Sequence, residues 1–191
     1  SDATVTNDSG DKVTHGWSQL DIVKHAACTY VASLGADDFV SIVTYADEGK
    51  LDVRWTACTE AGKKALDEAI RALKTRGSTN LRHGIEVGMQ TFGALPPSIE
   101  ANPSEYAMML AVLTDGCPTS STHPPGGANG YGKHVDGLRR NVEETYGPAA
   151  LPSVTAIGFG NSLDSELLKS LATSDELLPP LTAALSAACA V

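Results

Sequence analysis

Two short strings in this 191-residue chain carry residue types that could do chemistry together. Gly77-Ser78-Thr79-Asn80-Leu81 is a hydroxyl-rich run at the head of an apolar helical stripe, and Leu113-Thr114-Asp115-Gly116 places a carboxylate at the end of a buried apolar run. A hydroxyl and a carboxylate brought together form an oxygen-donor site suited to a hard cation such as Mg2+. Each string also has a plainer reading. Thr79 can be the N-cap of the helix that follows it, and Asp115-Gly116 can be a strand-ending turn. The pair in this order, about 35 residues apart with a helix between, is more specific than either part.

Other chemistry finds less support. His15, His25, His83, His123 and His134 are spread over loops and helices and read as structural. Ser120-Ser121-Thr122-His123 lacks the G-x-S-x-G elbow of a hydrolase. The glycines of Gly126 to Gly130 form neither a P-loop nor G-x-G-x-x-G, and the stretch reads as a flexible rim loop. Cys28, Cys58, Cys117 and Cys189 are scattered, without a CxxC or a short His/Cys cluster, so no zinc site is expected and a reducing compartment is favoured. These features point to binding rather than catalysis, with no enzyme activity expected.

The elements that must position the two strings follow from periodicity. Residues 1–16 are polar and read as a loop. Ser18 with Asp21 makes a capping-box-like start for a helix whose stripe is Leu20, Val23, Ala27, Val31 and Leu34. Phe39 to Tyr45 is β-branched and aromatic on both faces and reads as a buried strand. Asp47-Glu48-Gly49 turns it into an edge strand carrying Leu51, Val53 and Trp55. Helices are expected from Glu60 to Leu73, from Leu81 until Pro96-Pro97, from Lys133 to Thr145 and from Asp164 to Leu171. Tyr106 to Thr114 and Val154 to Phe159 are further buried strands, and the Ala/Leu-rich tail over 172–191 reads as a last helix. Buried strands alternating with amphipathic helices imply one α/β domain over 1–191, recognisable over 17–171. Its expected architecture is a three-layer, doubly wound (Rossmann-like), mostly parallel sheet with one antiparallel edge strand. Such sheets bind ligands at the carboxyl ends of their strands; Leu113 to Gly116 ends one such strand, and Gly77 to Leu81 is a helix-entry loop of the kind that can reach the same rim.

The formal net charge of −9 argues against nucleic-acid binding, which usually leaves a basic footprint. The longest apolar runs, such as Ala107 to Leu113, are too short to span a bilayer, so no membrane insertion is expected. No signal peptide is visible.

The order of elements from Trp17 to Leu171, with GSTNL opening a helix, LTDG ending a buried strand and VTAIGFG forming the next, resembles the von Willebrand factor A-type domain. The resemblance implies a metal-ion-dependent adhesion site at the top of the sheet, with Thr79 as its second-loop hydroxyl and Asp115 as its third-loop carboxylate. It further implies Mg2+ as the ion and a protein partner whose carboxylate completes the coordination. The family's Asp-x-Ser-x-Ser loop, which follows its central first strand, has no counterpart here. Asp2-Ala3-Thr4-Val5-Thr6 and Asp8-Ser9-Gly10-Asp11 have oxygen donors that could stand in chemically, but neither follows a strand, and both read as solvated loop. The expectation is therefore a domain lacking its first strand, with upstream residues or a partner completing the sheet. The alternatives are a metal-independent scaffold subunit of a larger assembly, completed by a neighbouring segment, and a metal-dependent hydrolase.

Overall fold

Within 1–16, which the sequence presents as a loop, the described residues are extended strand. Strand β1 (Asp2–Thr6) pairs antiparallel with β2 (Lys12–Ser18) as a two-stranded sheet of its own. Thr4, Val5, Thr6, Val13 and Thr14 are β-branched and favour the extended chain. Few aliphatic residues and abundant polar ones disguised that preference. The computed structural model describes residues 2–6, 12–114, 118–159, 164–171 and 182–190, and for 2–6, 12–17 and 182–190 the backbone alone.

Helix α1 (Gln19–Ser33) starts as its sequence dictates. Ser18 Oγ accepts from Asp21 N at 3.2 Å, and the Asp21 carboxylate accepts from Ser18 N at 2.9 Å, so two otherwise orphaned N–H groups are satisfied. Strand β3 (Phe39–Tyr45) follows, then β4 (Gly49–Ala57), antiparallel to it, and α2 (Glu60–Ala72), capped by Thr59. Helix α3 (Leu81–Gln90) is shorter than its apolar stripe, because residues 91–94 tighten into a 3-10 turn before the prolines. A short α4 (Pro97–Ala101) precedes β5 (Tyr106–Thr114); α5 (Tyr131–Tyr146), β6 (Ser153–Gly158) and α6 (Ser165–Leu171) complete the alternation.

The tail departs from its expected helix. Thr182–Ala190 is a strand, β7, and it lies in the middle of a five-stranded sheet of order β4-β3-β7-β5-β6. It runs parallel to both neighbours: Ile42 and Ala111 flank Ala187, and Val43 and Val112 flank Ala188. Strand β6 is parallel to β5, so β4 is the one antiparallel member, at an edge. The Ala-rich composition favours a helix in isolation. What overrides it is the demand of β3 and β5, whose facing backbone groups would otherwise lack partners. The central slot expected to be filled from upstream or by a partner is thus occupied by the chain's own strand.

Strand β5 shows how the core divides. Met108, Leu110 and Val112 join one cluster with Leu81, Ile85, Met89 and Phe92 around α3, Val135 and Val142 of α5, and Leu167 and Leu171 of α6. Ala111 and Leu113 join another with Val40 and Ile42 of β3, Val23 and Val31 of α1, and Leu66 and Ile70 of α2. Successive strand side chains point to opposite faces, which is why one strand serves both clusters. Each fully buried side chain among Leu66, Leu81, Ile85, Phe92 and Leu110 contributes about 1.5–3 kcal/mol by burial.

Two contacts carry this core to the site. Tyr45, at the end of β3, donates its hydroxyl to the Leu113 carbonyl of β5 at 3.1 Å, tying two strand ends together. Its ring lies against Gly84 of α3, where a Cβ would sit 2.6 Å from the ring, so the helix can approach only because residue 84 is glycine. The start of α3 is thereby held beside the carboxyl end of the sheet.

Candidate cation-binding rim

The run Gly77 to Asn80 joins Arg76 to α3, and it is fastened at both ends to β3 and the turn that follows. Arg76 donates to Thr44 Oγ1, and Thr44, fully buried in β3, donates in turn to the Asp52 carboxylate of β4. Asn80 N donates to the Ala46 carbonyl at 2.7 Å, and Asn80 Nδ2 to the Asp47 carbonyl at 2.9 Å. Asp47 Oδ1 accepts from Ser78 N at 3.0 Å and from Ser78 Oγ at 2.7 Å. These two donors hold the Asp47 carboxyl below the usual carboxylate range.

The cap of α3 is Asn80, whose side chain accepts from His83 N at 3.1 Å. Thr79 therefore does not perform the capping duty that its place before the apolar stripe suggested. Both residue types cap well, and only the backbone path through the loop selects between them. Thr79 is fixed instead by its main chain. Its N–H donates to Thr119 Oγ1 at 3.3 Å, and its carbonyl accepts from Thr119 N at 3.0 Å. Its hydroxyl makes no hydrogen bond with the described residues.

Asp115 lies outside the described residues, so its approach to Thr79 is not described either. The residues on either side of it reach the same rim. Thr114, buried at the end of β5, accepts from Phe159 N at 2.8 Å, while Thr119 makes the two bonds to Thr79. Of the two stand-in strings, Asp2 to Thr6 is itself strand β1, in the separate hairpin rather than in a loop after a central strand. The other, Asp8 to Asp11, lies outside the described residues. Among the described residues no three His, Cys, Asp or Glu side chains stand together as a potential metal cage. Thr79 itself fits a hard cation by donor type, as a hydroxyl carried on a main chain that Thr119 holds.

Asp47, Thr119 and Arg76 lie outside the two strings read from sequence, and Asn80 lies inside one of them without an assigned role. Asp47 had a usable signal, because it follows a buried strand just as Asp115 does, yet Asp47-Glu48-Gly49 reads first as a turn. Thr119 had none, since its bond to Thr79 spans 40 residues.

Other titratable side chains among the described residues pack away from the Thr79 loop or against α3. His83 Nδ1 accepts from Gly49 N at 3.1 Å, and His134 Nε2 lies 3.1 Å from Glu86 Oε1. His123 packs edge-on to Tyr131, with ring centroids 5.6 Å apart. Burial, reinforced by Asp67, pushes the Cys28 thiol up to about 11, which leaves it a poor nucleophile. Trp55 packs beside Phe92 and donates Nε1–H to the Thr91 carbonyl at 2.8 Å. Away from the rim, Ala27, Tyr30, Met109, Ile157 and Phe159 line an apolar cleft between α1 and strands β5 and β6. Among the described residues no helix is long and apolar enough to cross a membrane.

Comparison with known families places these observations. No curated protein matches the chain. The family model described as the von Willebrand factor type A domain matches residues 6–117, more than half of the chain, and that span takes in both rim strings. Domains of this family are generally protein-interaction modules, some of them with a metal site. The chain belongs to the von Willebrand factor type A domain family.

Proposed function

We propose that this chain is a protein-binding module rather than an enzyme, and that it engages its partner at the rim through Mg2+ held by Thr79 and Asp115. The observation that carries this reading is the state of Thr79. Asn80 does the capping, Thr119 takes both main-chain groups of Thr79, and the Thr79 hydroxyl is left available on a fixed backbone. A hydroxyl held in this way loses little conformational freedom when it is used, which favours binding. In sequence Asp115 directly follows β5, whose end is tied to β3 through Tyr45. When bound, the cation supplies a hard positive charge that attracts a carboxylate of the partner. The doubly wound, three-layer architecture belongs to the same reading. It is supported by the division of β5 side chains between two core clusters, and it puts the rim at the carboxyl ends of the parallel strands, where such sheets bind ligands.

The test is thermal unfolding with increasing Mg2+. At about a hundredfold excess over Kd, binding adds about 2.7 kcal/mol, which raises Tm by about 5–10 °C for a domain of this size. Thr79→Ala and Asp115→Ala are expected to abolish the rise. A protein that binds its partner with no response to millimolar Mg2+ would instead be the metal-independent scaffold. Ester or phosphoester turnover lost in Asp115→Ala would overturn both binding readings.

A further inference from the structure

We propose that Asp47, on the turn between β3 and β4, is the positioning residue of the rim: its carboxylate is the template on which the Thr79 loop is set. The inference rests on the Mg2+ reading of Thr79 and adds to it a residue outside both motif strings. Four contacts converge on the turn. Ser78 donates to Asp47 Oδ1 through its N–H at 3.0 Å and its hydroxyl at 2.7 Å. Asn80 donates to the Ala46 and Asp47 carbonyls at 2.7 and 2.9 Å. Thr79 sits between these two anchored residues, so the backbone that carries its hydroxyl is set by them. The fit is tight as well as polar. Gly77 has a φ of 28°, and a Cβ there would lie 2.1 Å from Asp47 Oδ2, so the carboxylate fills the space a side chain would need. The far side of the turn is fastened too, with Gly49 N donating to His83 Nδ1 at 3.1 Å. The turn and the first turn of α3 therefore behave as one unit. Asp47 acts on Thr79 through Ser78.

The roles of template and ligand separate in the choice of variant. Asp47→Asn keeps an oxygen that can accept both Ser78 bonds but removes the charge, whereas Asp47→Ala removes the acceptor. The experiment measures the Mg2+ midpoint of the thermal shift for wild type and both variants, alongside amide hydrogen exchange at Ser78, Thr79 and Asn80 without metal. Asp47→Ala is expected to raise the midpoint about tenfold and to speed exchange at Ser78, while Asp47→Asn stays within about threefold of wild type. An unchanged midpoint in Asp47→Ala would overturn the proposal. So would an Asp47→Asn variant as weak as Asp47→Ala, because the charge and not the geometry would then matter. If wild type shows no Mg2+ response, the metal reading fails, and the exchange arm alone decides on Asp47. Faster exchange at Ser78 in Asp47→Ala supports the template role, and unchanged exchange overturns it.

Discussion

Gly77 and Asp47 are fitted to one another: a Cβ on Gly77 would come within 2.1 Å of Asp47 Oδ2, at a backbone φ of 28°. Gly77→Ala is therefore penalised twice, by backbone strain and by displacement of the carboxylate that holds Ser78. A cost of about 1–3 kcal/mol is expected from the backbone alone, which lowers Tm by about 2–4 °C per kcal/mol. Gly137, within α5, is the control, since nothing lies within 4 Å of a Cβ built there. Gly137→Ala is expected to stabilise the fold by about 0.5–1 kcal/mol. Equal Tm shifts in the two variants would contradict the fitted rim.

Acid should loosen the same turn. Ser78 favours the ionised form of Asp47, so the folded value lies below the ordinary 3.8. The stability this contributes is complete above the ordinary value and is lost as pH falls through the folded one. Asp21, held down by its bonds to Ser18, and Asp67, held down by Arg71, act in the same direction. The urea midpoint should be flat from neutral pH to about 5 and should fall below about 4. Asp47→Asn cannot titrate there and should give a shallower fall. Parallel curves for wild type and variant would contradict the assigned role of the Asp47–Ser78 bonds.

The central position of β7 is open to direct observation. Backbone contacts from Ala187 to both Ile42 and Ala111 are expected in nuclear Overhauser spectra, as the register requires. Ala187→Pro removes a donor from the middle of a strand paired on both sides and should cost about 3 kcal/mol or more. Helical contacts three residues apart along 183–189 would contradict this placement.

How much of this was legible beforehand varied with the range of the forces involved. Phe39–Tyr45 and Tyr106–Thr114 are strands over the expected residues, because apolar runs of that length on both faces suit only a buried strand. The capping box of Ser18 and Asp21 is equally local, and its sequence signature was sufficient. Strand β7 was not legible, since its alanines favour a helix and its fate is decided by β3 and β5, far away in sequence. The same holds at the site. Thr79 stands out as a candidate donor from its motif, but its release from capping, its bonds to Thr119 and the bonds of Asp47 to its neighbour Ser78 are tertiary relations.

The most direct test of the rim as a cation site substitutes Mn2+, which takes the same oxygen ligands, and follows its paramagnetic broadening of assigned resonances. Broadening is predicted to begin at Ser78, Thr79 and Asp115, to be displaced by excess Mg2+, and to vanish from all three in Thr79→Ala. Broadening that begins elsewhere on the acidic surface, or that persists unchanged in Thr79→Ala, would contradict a cation site built on Thr79 and Asp115.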